Sequence, residues 1–396
     1  MKSTVIIYRK ITDYLSKPLI FISAFVLLTG LIPFIKADDA VGLLSSAFFP
    51  LYLVYSVSKN AQKGIICAFC LVSSDLIYYS FSKEHFGVLF TVLISVLLSK
   101  FAGDVRISYL FTALFITGAV LSVSAGLIYP LLYEYLKVFS SLITGRGFLF
   151  GAVKSIYDIL FSDKFSYLFY HTDFGSSTVN SNGVFSGAVD IFKSDPESRA
   201  VSIYLTGRYF VNIFLSLGLF FALFKRLSYE SKFAFAAVLV SGIITGDVRL
   251  LSLFIILFNP FVFIAYFFVS GAAYFVPDLI NLKIGFNDNA SIIELIKYGN
   301  KWGYFLVTGF VLALLMYFAV RLVIAKFRLS DGNYYPSKVR KIVSFLGGED
   351  NIKSVKQNKV TVNNPNLINI ISLDCDIHGN MVILNREDSE LIEGYF

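Results

Sequence analysis

The sequence is poor in charged residues, which make up 15% of its 396 residues, whereas soluble domains usually carry about 25%. It also contains only three cysteines, three histidines and one tryptophan. So few cysteines exclude a framework of disulfides. In their place, 56% of the residues are hydrophobic and the mean hydropathy is +0.70. This balance excludes an ordinary soluble domain and predicts an integral membrane protein.

Long apolar stretches recur between Pro18 and about Phe327. A helix that crosses a bilayer needs roughly 20 mostly apolar residues. Because lipid offers no hydrogen bonds to the backbone, such stretches are expected to be helices. The sequence therefore predicts an all-α polytopic membrane protein with about ten spans, some of them re-entrant, in the windows 18–35, 41–58, 62–81, 86–101, 108–133, 136–152, 201–224, 231–246, 250–276 and 302–327.

A polar tail follows the last apolar stretch. We predict a membrane domain over residues 1–330, a linker over 331–337, where Asp-Gly and Pro occur, and a small soluble α+β domain over 338–396. Apolar and polar residues alternate with period two in parts of this tail, as in half-buried strands. The expected elements are a helix Lys338–Phe345, a turn at Gly347–Gly348, strands Asn358–Val362, Leu367–Leu373 and Met381–Asn385, a turn at His378–Asn380 and a helix Ser389–Tyr395.

The net charge of +7 comes from basic residues that flank the apolar region. Cytoplasmic ends of membrane proteins carry an excess of Lys and Arg. We therefore expect both termini in the cytoplasm, a lipid bilayer as the surrounding partner, and no nucleic acid. The segment Met1–Lys17 has no small-residue cleavage site, so a removable signal peptide is not expected.

Cys67 and Cys70 have the CxxC spacing of some metal and redox sites. They lie inside an apolar window, with no second pair and no nearby histidine. The simpler interpretation is two ordinary buried cysteines. We expect no metal and no cofactor.

Residues 153–200 are the most polar stretch of the membrane region. We predict a long loop without regular structure, and such loops are more often functional than filler. Polar groups between spans are the usual material of a substrate path. His171, Asp173 and Asp190 are the candidate ligands in this stretch.

Several short motifs then occur in the order in which one transporter family has them. They are Phe192–Pro196 for "FAGDP", Thr206-Gly207 for "TG", Ser241–Gly246 for "TSFLTG", Leu282–Phe286 for "IKLGF" and Ile342–Ser354 for "ALGGKENIKS". With them, the chain resembles the membrane subunit, enzyme IIC, of the bacterial sugar phosphotransferase system, in the glucose, N-acetylglucosamine and glucoside superfamily. The last motif resembles the opening of its enzyme IIB domain.

The resemblance implies a homodimeric sugar permease of the bacterial inner membrane. Such a permease moves a sugar inward by an elevator-like motion, here of the 153–250 region, and works with separate phosphotransferase-system proteins. In the family, a membrane glutamate in "GITEP" binds the sugar hydroxyls, and a cysteine of enzyme IIB carries the phosphoryl group.

Both of these family positions differ here. Gly246–Leu250 stands in place of "GITEP", with Arg249 at the glutamate position, and Asn358 stands at the cysteine position. Asparagine cannot act as the thiol nucleophile. No catalytic residue is assigned, and whether the chain is an enzyme stays open.

The candidate substrate-binding residues are therefore His171, Asp173, Asp190, Asp247 and Arg249. His171 is either a sugar ligand or a loop histidine at the membrane interface. Arg249 either binds an anionic group or forms an ion pair with Asp247, Asp190 or Asp173; we favour the ion pair, because a buried arginine needs such a partner.

Three functions remain open. The first is a sugar permease of the phosphotransferase type. The second is a catalytically degenerate relative that binds a sugar or anion, or regulates, without transferring phosphate. The third is a permease that Arg249 redirects to an acidic solute.

Overall fold

The structure, a computed structural model, divides into two compact units, Met1–Leu329 and Ser330–Phe396. It describes residues 15–28, 37–82, 85–104, 107–143, 145–160, 177–180, 183–224, 227, 229–287, 289–327, 342–348, 351–369, 375–385, 388–389 and 392. The predicted linker 331–337 and most of the lead-in Met1–Lys17 lie outside the described residues.

The first unit is built almost entirely of helices. In chain order these are α1 (Leu15–Leu28), α2 (Ala37–Ser58), α3 (Ala61–Ser82), α4 (Val88–Asp104), α5 (Ile107–Ile143), α6 (Gly147–Leu160), α7 (Ala188–Ser194), α8 (Val201–Leu223), α9 (Tyr229–Thr245), α10 (Arg249–Phe258), α11 (Pro260–Leu279), α12 (Ile292–Tyr298) and α13 (Trp302–Phe327).

Within the described residues, six helices are long and apolar enough to cross a membrane: parts of α2, α3 and α5, all of α8 and α11, and most of α13. Four shorter apolar helices accompany them, namely α1, α9, α10 and most of α4. The chain is thus a helical membrane protein. Burial differs sharply among the six, from 72% for α8 to 11% for the apolar window of α5. α8 therefore forms the centre of the unit, and most of the apolar window of α5 is exposed.

The predicted single span over 250–276 is wrong, because the helix breaks at Asn259. The Asn259 side chain accepts hydrogen bonds from the backbone N–H groups of Phe261, at 2.8 Å, and Val262, at 3.4 Å. Pro260 follows as the first residue of α11. An asparagine cap followed by proline is a strong helix start, so α10 and α11 are separate helices.

The predicted pair of spans 108–133 and 136–152 also differs from the structure. One continuous helix of 37 residues, α5, runs from Ile107 to Ile143. The break falls later, at Gly145, whose φ of 75° belongs to the left-handed region that favours glycine. α6 then begins at Gly147.

The expected irregular loop over 153–200 is largely structured. α6 continues to Leu160. An antiparallel hairpin follows, in which β1 (Ser177–Asn180) pairs with β2 (Gly183–Ser186). α7 comes next, with Ala188, Val189 and Ile191 buried. The interpretation of this stretch as an open polar loop is therefore wrong for its described part.

The second unit contains a four-stranded antiparallel sheet with strand order β3-β4-β6-β5. Its strands are β3 (Ile352–Lys356), β4 (Lys359–Val362), β5 (Cys375–His378) and β6 (Met381–Leu384). The predicted strands at 358–362 and 381–385 and the turns at Gly347 and Gly379 are confirmed. The predicted strand Leu367–Leu373 is wrong: Pro365–Leu367 forms a short 3₁₀ helix, residues 368–369 are irregular, and residues 370–374 lie outside the described part.

Asn351 organises the core of this unit. Its side-chain nitrogen donates to the carbonyl oxygens of Leu346, at 2.7 Å, and Asn364, at 2.9 Å. Its side-chain oxygen accepts from the backbone N–H of Asn364 at 2.7 Å. The side chain is buried next to a small apolar cluster that includes Val360 and Val382. Asn351 thus ties residues 342–348 to the segment that follows β4.

Candidate functional site

The central helix α8 contains two π-helical turns, Val201–Thr206 and Phe210–Leu215. In each, a hydroxyl bonds to the carbonyl five residues earlier: Thr206 Oγ1 lies 3.0 Å from the Val201 oxygen, and Ser216 Oγ lies 2.9 Å from the Val211 oxygen. Turns of this kind occur frequently at functional sites. Arg208 lies between the two turns and Asn212 lies within the second; both are buried polar residues, about one helical turn apart.

Arg208 takes part in a buried group of three charges. Asp158 of α6 accepts a hydrogen bond from Lys154 Nζ through Oδ1 and one from Arg208 Nη1 through Oδ2, each at 2.7 Å. All three side chains are 5% exposed or less. The Tyr266 hydroxyl of α11 lies 3.4 Å from Ser252 Oγ. Buried ionic groups in membrane proteins mark solute or ion paths.

This charged trio was not among the predicted site residues. Lys154 and Asp158 fall in the predicted loop over 153–200, and Arg208 falls in the predicted span 201–224. The sequence does contain a signal for part of the trio. Lys154 and Asp158 are four residues apart, so their side chains lie on the same face if the segment is helical.

Gly246–Val248 is a buried, non-helical segment between α9 and α10. Gly246 has a φ of 82°, and a Cβ at this position would lie 2.9 Å from the Ala290 carbonyl carbon, the Asn289 Cβ and the Ser291 nitrogen. Only glycine meets both requirements without strain. Non-helical backbone inside a membrane domain occurs where protein or a water-filled cavity satisfies it.

Asp247 and Arg249 form the ion pair that the sequence led us to expect. Arg249 Nη2 lies 2.7 Å from Asp247 Oδ2, and Nε lies 3.1 Å from both carboxylate oxygens. The Arg249 backbone N–H also donates to Asp247 Oδ1 at 2.8 Å. Both side chains are 3% exposed. The Asp247 carboxylate thus accepts a hydrogen bond from the first backbone N–H of α10 and neutralises the Arg249 side chain.

A second non-helical segment, residues 282–287 and 289–291, packs against α8. Thr206 Oγ1 lies 3.2 Å from the Leu282 oxygen and 3.1 Å from the Ile284 oxygen, and it accepts from the Ile284 N–H at 2.9 Å. The Tyr209 hydroxyl donates to the Gly285 carbonyl at 3.1 Å. Side chains of α8 therefore satisfy backbone groups that this segment cannot satisfy itself.

Asn212 joins the two non-helical segments. Its Nδ2 donates to the carbonyl oxygens of Gly246, at 2.9 Å, and Ala290, at 3.0 Å. Asn212 lies in the predicted span 201–224 and is not among the predicted site residues. Its partners come from segments 34 and 78 residues away, so no local pattern could identify them.

The other predicted ligands are not brought to this place. Asp190 lies on α7, 45% exposed, with Oδ1 4.0 Å from Lys193 Nζ. His171 and Asp173 lie outside the described residues. Arg199, two residues before α8, forms an ion pair with Asp278 of α11, with Nη2 2.9 Å from Oδ2. The hydrogen bonds that Arg199 donates to Asp278 raise the pKa of the Arg199 guanidinium.

A further buried polar group lies among α2, α3 and α4. The Asp75 carboxylate accepts hydrogen bonds from Ser46 Oγ, at 3.0 Å, and from the Phe86 backbone N–H, at 2.7 Å, and lies 3.0 Å from His85 Nδ1. Tyr79 stacks on the His85 ring with centroids 4.7 Å apart. These contacts satisfy the carboxylate and fix the chain between α3 and α4.

Within the described part of the chain, no group of three or more His, Cys, Asp or Glu side chains could hold a metal ion. Cys67 and Cys70 are buried and unbonded to each other. Comparison of the sequence with models of known protein families gives no match. The site is thus defined by its geometry: α8, the two non-helical segments that cross it, and the charged trio beside it.

Proposed function

We propose that the membrane unit is a sugar permease of the phosphotransferase type, which binds its solute beside α8 and carries it across the bilayer. The observation that carries this proposal is the buried helix interruption Gly246–Val248 facing a second non-helical segment across α8. Transporters commonly bind solutes near the bilayer midplane at interrupted helices. The same interruption falls where Gly246–Leu250 stands in place of the sugar-binding "GITEP" motif of enzyme IIC.

The charges around the interruption favour a neutral solute over an acidic one. Asp247 offsets the charge of Arg249 through a side-on, two-oxygen contact. A buried arginine held in this way has little to gain by exchanging its carboxylate for an anionic solute. The redirection of the permease to acidic solutes is therefore the weaker proposal.

The test is uptake by proteoliposomes that contain the purified chain. Radiolabelled glucose, N-acetylglucosamine and a β-glucoside are offered with and without the phosphorylated general phosphotransferase proteins and a separate enzyme IIB. We expect saturable uptake of at least one sugar. If no sugar is taken up by proteoliposomes with correctly inserted protein more than by protein-free liposomes, the proposal is contradicted.

The proposal also includes a cellular location and an oligomeric state. We expect the chain in the bacterial inner membrane, with both termini cytoplasmic and as a homodimer, in line with the basic flanks and the family resemblance. Reporter fusions at each end and the mass of the detergent-solubilised protein test these points. An external reporter at either end would contradict the orientation.

One observation favours the alternative, a degenerate relative that binds without transferring phosphate. Asn358 lies in the two-residue turn between β3 and β4, next to Gln357, whose φ is 50°. Cys375 lies elsewhere, on β5, opposite Leu384. Incubation of the full chain with labelled phosphoenolpyruvate and the general proteins tests this. Label on residues 338–396 would contradict the alternative.

A further inference from the structure

Asn212 occupies the middle of α8, as the twelfth of the 23 residues of Val201–Leu223. Its side chain is 1% exposed. Nδ2 donates to two carbonyls, that of Gly246 at 2.9 Å and that of Ala290 at 3.0 Å. These carbonyls belong to the two non-helical segments. The amide group is therefore anchored at the point where both segments meet the middle of α8, and transporters commonly bind solutes at such interrupted helices.

The other half of the amide has no partner. Asn212 Oδ1 is fully buried and accepts no hydrogen bond from any residue that the structure describes. A half-turn of the amide would not help, because it would place Oδ1 against the two carbonyl oxygens that Nδ2 now binds. A buried acceptor without a donor lowers stability, and native proteins keep few of them.

The other buried side-chain oxygens that lack a partner in the described residues are the hydroxyls of Ser23, Ser45 and Ser270. All three lie in helices. A helical serine can turn its hydroxyl toward a carbonyl of the preceding turn at little cost. The amide of Asn212 is held by two hydrogen bonds and cannot adjust in this way. Its unpartnered oxygen therefore points to a missing donor.

The chemistry of the surroundings selects the donor. Asp247 and Arg249, next to Gly246, offset each other's charge. A hard cation such as Ca²⁺ takes about six to eight oxygen ligands, whereas the amide presents one free acceptor. A neutral hydroxyl group needs a single acceptor with one fixed direction. Of these two, the hydroxyl matches a single free acceptor.

We propose that Asn212 Oδ1 accepts a hydrogen bond from one hydroxyl group of a neutral, polyhydroxylated solute. This inference rests on the proposed permease function and adds the residue that selects the solute. Asn212 is a binding residue that discriminates between a sugar and its deoxy analogue. The two hydrogen bonds of Nδ2 keep its acceptor in place.

The test uses the full chain in detergent micelles. Binding of D-glucose, N-acetyl-D-glucosamine and the monodeoxy analogues of each is measured by calorimetry. The variants are Asn212→Leu, which removes both halves of the amide and keeps the branching of the side chain, and Ser95→Ala. Ser95 is the control, because it is buried on α4, outside the candidate site, and its hydroxyl already bonds to the Thr91 carbonyl.

For the wild type, we expect one monodeoxy analogue to bind about fivefold to tenfold more weakly than its parent sugar. In Asn212→Leu this ratio should fall to about one, whereas Ser95→Ala should keep it. If every deoxy analogue binds the wild type as tightly as its parent, or Asn212→Leu keeps the ratio, the inference is overturned while the permease function stands. The wild-type series needs no variant, so an unstable Asn212→Leu does not block the test.

If the wild type binds none of these sugars, the proposed function fails in its present form. A high-resolution cryo-electron microscopy map then decides the role of Asn212 separately. A single water at Oδ1, enclosed by protein groups on every side, would overturn the inference. Density of a co-purified organic molecule within hydrogen-bond distance of Oδ1 would support it.

Discussion

Arg208 and Asp158 meet inside the membrane unit, with Nη1 2.7 Å from Oδ2. The contact joins α8 to α6, and Lys154 shares the same carboxylate through its other oxygen. One acid therefore serves two bases in an environment where each charge is costly to bury. The arrangement ties the central helix to its neighbour through Asp158.

Replacement of Asp158 by asparagine should destabilise the protein strongly, because it leaves Lys154 and Arg208 buried without this carboxylate. We expect a loss of about 3 kcal/mol, measured by chemical unfolding in detergent. The control is Asp190→Asn, which breaks a half-exposed pair at 4.0 Å and should cost less than about 0.5 kcal/mol. Equal stability of the two variants would show that Asp158 is not required to hold the two bases.

The Asp247–Arg249 pair should show strong coupling in a double-mutant cycle. Asp247→Leu leaves a buried guanidinium, and Arg249→Leu leaves a buried carboxylate, so each should cost about 3 kcal/mol or more. The double replacement should cost clearly less than the sum of the two. The measurement is the free energy of unfolding of the four proteins. Additive effects would contradict the ion pair.

Gly246→Ala should be more harmful than an ordinary glycine replacement, because it combines an unfavourable φ with contacts of 2.9 Å to Asn289, Ala290 and Ser291. Two controls separate these causes. Gly145 shares the positive φ but a Cβ there meets nothing within 4 Å, so Gly145→Ala should cost about 1–2 kcal/mol.

Gly303 is the second control, since it lies in α13 with no atom within 4 Å of an added Cβ. Gly303→Ala should be neutral or stabilise by up to about 1 kcal/mol. Thermal unfolding of the three variants gives the order. A Gly246→Ala protein as stable as Gly145→Ala would mean that residues 289–291 move aside freely.

Asn351→Ala should loosen the small unit alone. It removes three hydrogen bonds and leaves the buried Leu346 carbonyl without this donor, at a cost of about 1–3 kcal/mol. Hydrogen–deuterium exchange of the full chain should speed up in β3–β6 and stay unchanged in α8 and α11. Asn366→Ala, at an exposed position, is the control. Equal exchange in the two variants would contradict the role of Asn351.

Hydropathy alone predicted the helical membrane unit, because chain length and lack of charge decide whether a segment can cross lipid. It could not place the break at Asn259, because the run stays largely apolar there. The helix is interrupted by the hydrogen bonds that the Asn259 side chain accepts and by the proline that follows. Nor did it separate α5 from α6 correctly, because Glu134 lowers the hydropathy inside a helix that continues to Ile143, and the actual end lies at the sequence Thr-Gly-Arg-Gly over 144–147.

The candidate site was predicted only where partners are close in sequence. Asp247 and Arg249 are two residues apart, and the cost of burying an arginine is enough to demand the carboxylate. Asp158 and Arg208 are 50 residues apart, and Asn212 meets carbonyls that are farther still. Those contacts depend on how α6, α8 and the two non-helical segments pack, which no local pattern encodes.

The two π-helical turns of α8 each hold about one residue more than an α-helical turn. A helical wheel drawn at about 100° per residue therefore assigns residues beyond such a turn to the wrong side. Loss of one residue within 210–215 would rotate Ser216 and everything after it by about that angle relative to Arg208. Insertion or deletion of a single residue at either turn would therefore change the direction in which the buried polar side chains of α8 point, without substitution of any of them.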